Sequence, residues 1–309
     1  MVILVTGANG FVGSALCGRL KVEGYNIRCA VRTQAQTENF IAVGDIGPET
    51  QWDKALHDVD TVIHTAARAH IAKDQVPDPL AEYRQVNVEG TLNLARQSAQ
   101  AGVKRFIFIS SVGAIGNQST TPFTEQDTPA PHDLYAISKY EAEQGLQQLA
   151  QETGMDVVII RPPLVYGPNA PGNFGSLVRW VEKGIPLPLG AIHNKRSLVA
   201  LDNLVDLIVT CIDHPAAANQ IFLAGDGEDV STSELLRGVA KAMGKPARLI
   251  PVPAKILTLG ATLLGKKAVA QRLLGSLQVD ISKAREVLGW EPVVSVEEGM
   301  AKAVGMRYI

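Results

Sequence analysis

Three side chains in this sequence are of the types and spacing that proton transfer needs. Tyr135 and Lys139 stand four residues apart in Y-A-I-S-K, within a pattern that predicts a helix, so both point to the same helix face. A free tyrosine has a pKa of about 10 and is a weak base at neutral pH, but a neighbouring ammonium stabilises the phenolate and lowers that pKa. Ser111 follows a predicted strand and offers a hydroxyl that can orient a substrate oxygen. We therefore expect Ser111, Tyr135 and Lys139 to be catalytic, with Tyr135 as the general acid and base.

A glycine-rich turn lies near the start of the chain. Residues 6–13 read T-G-A-N-G-F-V-G, between an apolar strand pattern and a helical pattern. Gly7 permits a tight turn, Gly10 lets the backbone approach a pyrophosphate, and Gly13 allows the helix to pack closely on the strand. The free N–H groups at the start of the following helix favour phosphate. We therefore expect a dinucleotide to bind at this turn, in contact with Gly7, Asn9, Gly10, Phe11, Val12 and Gly13.

The residue after the second strand bears on which dinucleotide binds. An acidic residue there accepts the ribose 2′-hydroxyl of NAD, whereas an arginine accommodates the 2′-phosphate of NADP. The strand at 26–31 is followed by Arg32, with no acid in place. Arg32 therefore mildly favours NADP, although the same side chain can stack on adenine or lie in solvent. The residues themselves leave NAD and NADP open.

Alternating strands and helices position these groups. Strand patterns cover residues 2–6, 26–31, 40–44, 61–64, 105–110 and 156–161, and helical patterns cover 11–23, 80–101 and 134–152. This alternation predicts an α/β fold of the Rossmann type, a doubly wound parallel sheet with helices on both faces. Beyond it, a helix at 203–212 is expected to return to the sheet, a short strand is possible at 248–250, and the chain is mostly helical from residue 231. We expect a cofactor-binding domain, 1–166 with about 191–215, and a smaller interleaved α/β substrate domain, 167–190 with 216–309.

Composition narrows the class of protein. The 309 residues contain 29 Lys plus Arg and 31 Asp plus Glu, a net charge of −2 that gives no sign of nucleic-acid binding. Three widely spaced cysteines indicate neither a disulfide framework nor a zinc site and favour a reducing compartment. The apolar stretch 256–264 is much shorter than the roughly 20 residues of a membrane span, so we expect a buried or amphipathic helix there. The expected location is the cytoplasm.

The order of the motifs resembles that of the extended short-chain dehydrogenases/reductases. After the glycine turn come H-T-A-A at 64–67, N-V-E-G-T at 87–91, Ser110-Ser111 and the Y-x-x-x-K segment. Farther on, R-P-P-L-V-Y-G-P at 161–168 and the segment 279–292, with D-I-S-K-A and L-G-W-E-P, are similar to nucleotide-sugar enzymes of the NAD-dependent epimerase/dehydratase family. The resemblance covers nearly the whole chain.

This resemblance implies further ligand contacts. It implies that Asp45, with Ile46 beside it, accepts a hydrogen bond from the adenine amine of the cofactor. It also implies that Lys139 binds the cofactor ribose. The other implied cofactor contacts are Thr65, Ala66 and Ala67 along the ribose, Asn87 in the active-site wall, Tyr135, and Pro162 near the nicotinamide. The implied substrate contacts are Ser111, Asn173, Arg196 and Arg272, with the two arginines on the diphosphate. Ser111 is preferred to Ser110 as the catalytic serine, because Gly116 matches the glycine that trails the family's Ser or Thr.

The resemblance also implies the reaction, hydride transfer at C4 of a UDP-hexose. Tyr135, stabilised as phenolate by Lys139 and the positive nicotinamide ring, would remove the 4-hydroxyl proton while C4 gives hydride to the nicotinamide, which forms a 4-keto sugar. A 4-epimerase of UDP-glucose or UDP-N-acetylglucosamine rotates that intermediate and reduces it from the other face. Val112 and Gly113 stand where the family's dehydratases carry Asp-Glu, which argues against a dehydratase. UDP and dTDP sugars are both compatible with these motifs.

Some positions depart from the epimerase pattern. Ile115 replaces the usual tyrosine before the glycine at 116, and the lysine that some epimerases carry after H-x-A-G is missing, with Arg68 or His70 as substitutes. Together with Arg32 these departures keep open an NADPH-dependent 4-ketoreductase of UDP-4-keto-6-deoxy-hexoses, including the amino sugars, in surface polysaccharide synthesis. A non-catalytic dinucleotide-binding regulator is a third possibility, against which the intact catalytic residues argue.

The resemblance also implies a homodimer. Relatives form homodimers through the helices expected here at 80–101 and 134–152.

Overall fold

The computed structural model describes residues 1–33, 39–69 and 76–305. The strands are β1 (Val2–Thr6), β2 (Asn26–Val31), β3 (Phe40–Ala42), β4 (Thr61–His64), β5 (Arg105–Ile109), β6 (Asp156–Arg161), β7 (Leu164–Tyr166), β8 (Arg196–Ala200), β9 (Ile221–Leu223) and β10 (Asp229–Val230). The helices are α1 (Phe11–Val22), α2 (Asp53–Leu56), α3 (Pro79–Arg84), α4 (Thr91–Gln100), α5 (Leu134–Thr153), α6 (Gly172–Glu182), α7 (Leu201–Asp213), α8 (Thr232–Ala242), α9 (Ala254–Leu263), α10 (Lys267–Leu274), α11 (Ser282–Leu288) and α12 (Val296–Gly305). A π-helical turn, Gln85–Gly90, joins α3 to α4.

The larger sheet is of the doubly wound parallel type predicted from the sequence. Within the described residues its strands follow the order β3-β2-β1-β4-β5-β6-β9, and each pair of neighbours is parallel. The strand order reverses between β1 and β4, which opens a crevice at their carboxyl ends, where doubly wound folds bind their ligands. The predicted Rossmann-type fold is confirmed.

Both faces of this sheet are buried, which explains the unbroken apolar runs of its strands. Ile3 and Val5 face the core that α1 and α7 cover, and Leu4 between them faces the core that α4 and α5 cover. Successive side chains of a strand point to opposite faces, so a strand with helices on both sides must be apolar throughout.

The second half of the chain departs in detail from the predicted elements. A three-stranded sheet in the order β10-β8-β7 was not predicted; its strands are short, and β8 pairs with residues far from it in sequence. β9 joins the large sheet beside β6. The segment that returns to this sheet therefore extends beyond residue 215, where the sequence analysis ends it. The possible strand at 248–250 was wrong, because only an isolated bridge forms there, between Leu187 and Leu249. The remaining core of this half lies among α6, α8 and α12.

The predicted helix at 80–101 contains a π-helical turn. Its residues form α3, the π-helical turn and α4, which follow one another without a break. A π turn adds a residue to the helical repeat and often marks a functional position. None of the helices in the described ranges combines the length and apolarity that crossing a bilayer requires.

Candidate active site

The glycine turn connects β1 to α1 without room for side chains at two positions. Gly7 has a φ of +67°, and a Cβ there would lie 2.8 Å from the backbone N of Ala66. A Cβ at Gly13 would lie 2.1 Å from the carbonyl oxygen of Gly7, so only glycine fits. The Gly10 N–H donates to the Gly7 carbonyl at 2.8 Å, and α1 begins at the next residue with no side-chain cap. The first N–H groups of α1 are therefore available to an anion, as phosphate binding requires.

The other expected contacts of this turn lie around the same crevice. Asn9 and Gly10 are exposed at the tip of the turn, while Phe11 and Val12 are half-buried in the first turn of α1. Thr65 follows β4 and donates from its hydroxyl to the Thr6 carbonyl at 2.6 Å. The loop after β4 thus lies directly against the glycine turn.

Arg32 and Asp45, both expected to meet the cofactor, bind each other. Arg32 Nε and Asp45 Oδ1 are 2.8 Å apart, and both side chains are largely exposed. Ile46 next to Asp45 packs against the π-helical turn, where a Cβ on Gly90 would lie 2.7 Å from the Ile46 Cγ2 atom. Because the carboxylate offsets the charge of the guanidinium, this pair weakens the argument for a 2′-phosphate that rests on Arg32.

Asn87 connects the loop after β4 to the helix that carries Tyr135. It is buried in the π-helical turn, where its Oδ1 accepts from the Arg68 N–H at 2.8 Å. Its Nδ2 donates to Ser138 Oγ at 2.9 Å, and the Ser138 hydroxyl donates to the Tyr135 carbonyl at 2.8 Å. This arrangement agrees with the expected place of Asn87 in the wall of the site. His70, a suggested substitute for the missing lysine, lies outside the described residues.

His64 has a structural position. Its ring is buried between the hydroxyls of Thr6, 2.6 Å from Nδ1, and Thr91, 3.0 Å from Nε2. Burial lowers the pKa of His64 to about 3, so the ring is neutral at physiological pH. The histidine therefore joins β1 and β4 to α4 and takes no part in acid–base chemistry.

Tyr135 and Lys139 occupy the first turns of α5. Asp133 caps this helix by accepting from the Ala136 N–H at 2.8 Å, which sets where the helix begins. Tyr135 is half-buried, and Lys139, one turn later, is 2% exposed. The Lys139 Nζ lies 6.0 Å from the centroid of the Tyr135 ring and 4.1 Å from that of Phe108. The shared helix face expected from the spacing is thus present.

Burial shifts the pKa values of both Tyr135 and Lys139. Burial raises the pKa of Tyr135 above its usual value, and Asp133 and Tyr83 add to the rise. Burial also lowers the pKa of Lys139 to about 7, against the attraction of Glu143, so the amine carries only part of its charge at neutral pH. The expected lowering of the Tyr135 pKa by Lys139 together with the positive nicotinamide ring stays a prediction.

The two adjacent serines have different surroundings. Ser110 is buried, and its hydroxyl donates to the carboxylate of Glu143. Ser111 is half-buried and caps the short turn that follows it, where its Oγ accepts from the Gly113 N–H at 3.1 Å. Because Ser110 is held inside the protein, the geometry favours Ser111 as the serine that faces a substrate.

A buried ion pair behind the site was not predicted from the sequence. Arg161 donates from Nη2 to Glu143 Oε2 at 2.6 Å and from Nε to Oε1 at 3.0 Å, and both residues are buried. Glu143 comes four residues after Lys139 and so lies on the same helix face, which is the signal that could have identified it. The pair joins α5 to the end of β6, directly before Pro162, whose carbonyl accepts from the Val112 N–H at 3.0 Å.

The expected substrate residues lie in the second half of the chain. Asn173 is in the first turn of α6, and its side chain is outside the described structure. Arg196 begins β8, and its Nη1 donates to the Arg272 carbonyl at 2.8 Å and the Gly275 carbonyl at 3.2 Å. Burial lowers the pKa of Arg196. The structure thus brings Arg196 next to Arg272, whose side chain is exposed.

The chain is similar to known proteins along most of its length. The profile of the NAD dependent epimerase/dehydratase family matches residues 3–225. A UDP-glucose 4-epimerase from Vibrio cholerae is 50% identical over 303 residues, which cover 96% of this chain and 92% of that protein. The N-acetyl-alpha-D-glucosaminyl-diphospho-ditrans,octacis-undecaprenol 4-epimerase of Escherichia coli O157:H7 is 30% identical over 263 residues, 82% of this chain and 77% of that protein. The crystal structure of the Thermotoga maritima UDP-glucose 4-epimerase with UDP-glucose superposes with a TM-score of 0.79 at 27% identity, covering 99% of this chain and 98% of that chain.

Proposed function

Since the chain belongs to the NAD-dependent epimerase/dehydratase family, we propose that it is a UDP-hexose 4-epimerase that uses NAD and works through a 4-keto intermediate. One observation carries the proposal: the loop after β4 lies against the glycine turn at Ala66, and its Arg68 is bound through Asn87 to the turn of α5 that carries Tyr135. The dinucleotide site and the proton-transfer residues are therefore parts of one continuous structure.

The residues present fit a dinucleotide. The glycine turn excludes side chains where a pyrophosphate approaches, and the uncapped start of α1 offers N–H donors. Bound NAD would supply a hydride acceptor for C4 and a positively charged ring. Tyr135 takes the proton of the 4-hydroxyl and returns it, Lys139 would hold the ribose and adds positive charge, and Ser111 orients the sugar oxygen. The charge of the ring would act together with Lys139 to lower the raised pKa of Tyr135.

The chain also has candidate groups for the nucleotide part of the substrate. Arg196 and Arg272 are adjacent, and an arginine's planar cation suits the two phosphates of a UDP-sugar. Asn173 at the start of α6 is the third expected contact. The ion pair between Arg32 and Asp45 weighs against the NADPH-dependent ketoreductase, because the charge of Arg32 is one of the features that favour that alternative.

The test of the proposal is conversion of UDP-glucose to UDP-galactose, and of UDP-N-acetylglucosamine to its 4-epimer, by the purified protein. Tyr135→Phe is expected to abolish conversion, and Tyr140→Phe on the same helix serves as the matched control. Dinucleotide released by denaturation should be NAD. Retention of NADP, or reduction of 4-keto sugars without epimerisation, would support the ketoreductase instead. Equal and negligible turnover by wild type and Tyr135→Phe would support the regulator.

We further propose a cytoplasmic homodimer. Cys17, Cys29 and Cys211 are free thiols, a state that a reducing compartment maintains. The helices expected to pair with a second copy, α3 and α4 with α5, already pack together and include an ion pair between Arg84 and Glu141. Light scattering that gives the mass of a single chain would contradict the dimer.

A further inference from the structure

An apolar patch covers the outer side of the α9–α10 hairpin. Twelve large apolar side chains are exposed among the described residues, and five of them lie between residues 256 and 269. These five form the patch, with exposed fractions of 60% for Ile256, 64% for Leu259, 80% for Leu263, 73% for Leu264 and 52% for Val269. Single exposed apolar residues are ordinary on protein surfaces, but a cluster of this kind indicates a binding surface.

The orientation of α9 explains the patch. No residue of this helix is buried, and Ala254 and Leu257 attach one side of it to the core of the second half. Ile256, Leu259 and Leu263 follow the spacing i, i+3, i+7, so they lie together on the opposite side. Of the two alternatives expected for 256–264, a buried or an amphipathic helix, the amphipathic one holds, with its apolar side facing outward.

The stretch of chain that contains the patch carries charge of one sign. Residues 235–279 contain eight Lys and Arg residues and no Asp or Glu, although acidic residues slightly outnumber basic ones in the whole chain. Lys255, on α9, and Lys266 and Lys267, at the turn into α10, are exposed beside the apolar side chains. An apolar helix side bordered by lysines is typical of segments that lie in the interface of an anionic bilayer.

We propose that the α9–α10 hairpin docks on the surface of an anionic phospholipid membrane, with the apolar patch in the headgroup region and the three lysines on lipid phosphates. A lipid surface fits better than a second copy of the hairpin, because two copies face to face would bring together like charges with no acidic residue between them. Since no described helix is long and apolar enough to span a bilayer, the attachment is peripheral. The proposal concerns where the protein acts and does not depend on the sugar that it converts.

The experiment is co-sedimentation of the full-length protein with vesicles of phosphatidylcholine alone or with added phosphatidylglycerol. We expect binding only to the anionic vesicles, weakening as salt is raised. The triple change Lys255→Gln, Lys266→Gln and Lys267→Gln should weaken binding on the order of 100-fold, because each lysine contributes a factor of about five. The double change Leu259→Ser and Leu263→Ser should weaken it as well, because it removes apolar side chains from the headgroup region.

The matched controls are Val22→Ser and Lys183→Gln. Both change exposed residues outside 235–279 and should leave binding unchanged. Both patch variants should keep the epimerase activity of the wild type, since none of these residues belongs to the proposed active site. Wild-type protein that stays in the supernatant with both vesicle types, or patch variants that bind as well as wild type, would overturn the proposal. Self-association that Leu259→Ser abolishes, without lipid binding, would overturn it in favour of a second copy.

Discussion

Replacing Lys139 by methionine should stabilise the cofactor-free protein while removing its activity. Lys139 is buried, and burial lowers its pKa from 10.5 to about 7. Lowering the pKa from 10.5 to about 7, at about 1.36 kcal/mol per pH unit, corresponds to a penalty of about 5 kcal/mol for holding the ammonium in the folded protein. Methionine is also unbranched and carries no charge, so it avoids this penalty while filling the same space.

The stabilisation should depend on pH in a defined direction. Between pH 7 and 10.5 the unfolded chain binds a proton at Lys139 that the folded protein has released, so the stability of the wild type rises with pH across this window. The advantage of Lys139→Met is therefore full below about pH 7. It should fall to about 2 kcal/mol at about pH 9, which is about 1.5 pH units below the pKa of the unfolded chain. It should vanish above about pH 10.5.

Urea unfolding of NAD-stripped protein, followed by tryptophan fluorescence, measures this difference. Trp52 and Trp290 are buried, so their emission reports unfolding. The exposed Lys54→Met serves as the control and should show no pH-dependent change in the free energy of unfolding. A destabilised Lys139→Met protein, or a gain that stays constant between about pH 6 and about pH 9, would refute the argument that desolvation of this lysine dominates.

Three further predictions concern the surroundings of the site. Glu143→Gln should lower the free energy of unfolding by about 3–5 kcal/mol in urea titrations, because it leaves a buried guanidinium without its partner, whereas Glu141→Gln in an exposed pair should cost under about 1 kcal/mol. Gly13→Ala should reduce the NAD content of the purified protein about tenfold, equal to about 1.4 kcal/mol, because its Cβ would meet the backbone of the turn. Gly18→Ala, in open space on the same helix, should keep its NAD content. Asp45→Asn should raise the affinity for NADP relative to NAD in a fluorescence titration, because it frees the neighbouring arginine; an unchanged ratio would show that the arginine does not meet the 2′-phosphate.

Local pattern was enough to predict the features that depend on neighbouring residues. The glycine turn was recognised because a strand, three glycines and a helix follow one another within residues 2–22. Tyr135 and Lys139 were placed together because four residues make about one helical turn. The parallel sheet followed from apolar runs that alternate with helical patterns.

The short strands β7, β8 and β9 were missed because their apolar runs are brief and their partners lie far away in sequence. The same holds for the buried pair of Glu143 and Arg161, whose members lie on different elements.

The sequence by itself therefore determined the fold class and the spacing of the glycine turn and of Tyr135 and Lys139, because helical and strand spacing are local properties of the chain. Only the tertiary structure decided the electrostatic state of the candidate residues. Whether Lys139 keeps its proton, whether Tyr135 is activated and whether Arg32 is paired all depend on desolvation and on charges brought from distant segments. The outward orientation of α9 was decided in the same way, since an apolar run specifies a helix side but not what covers it.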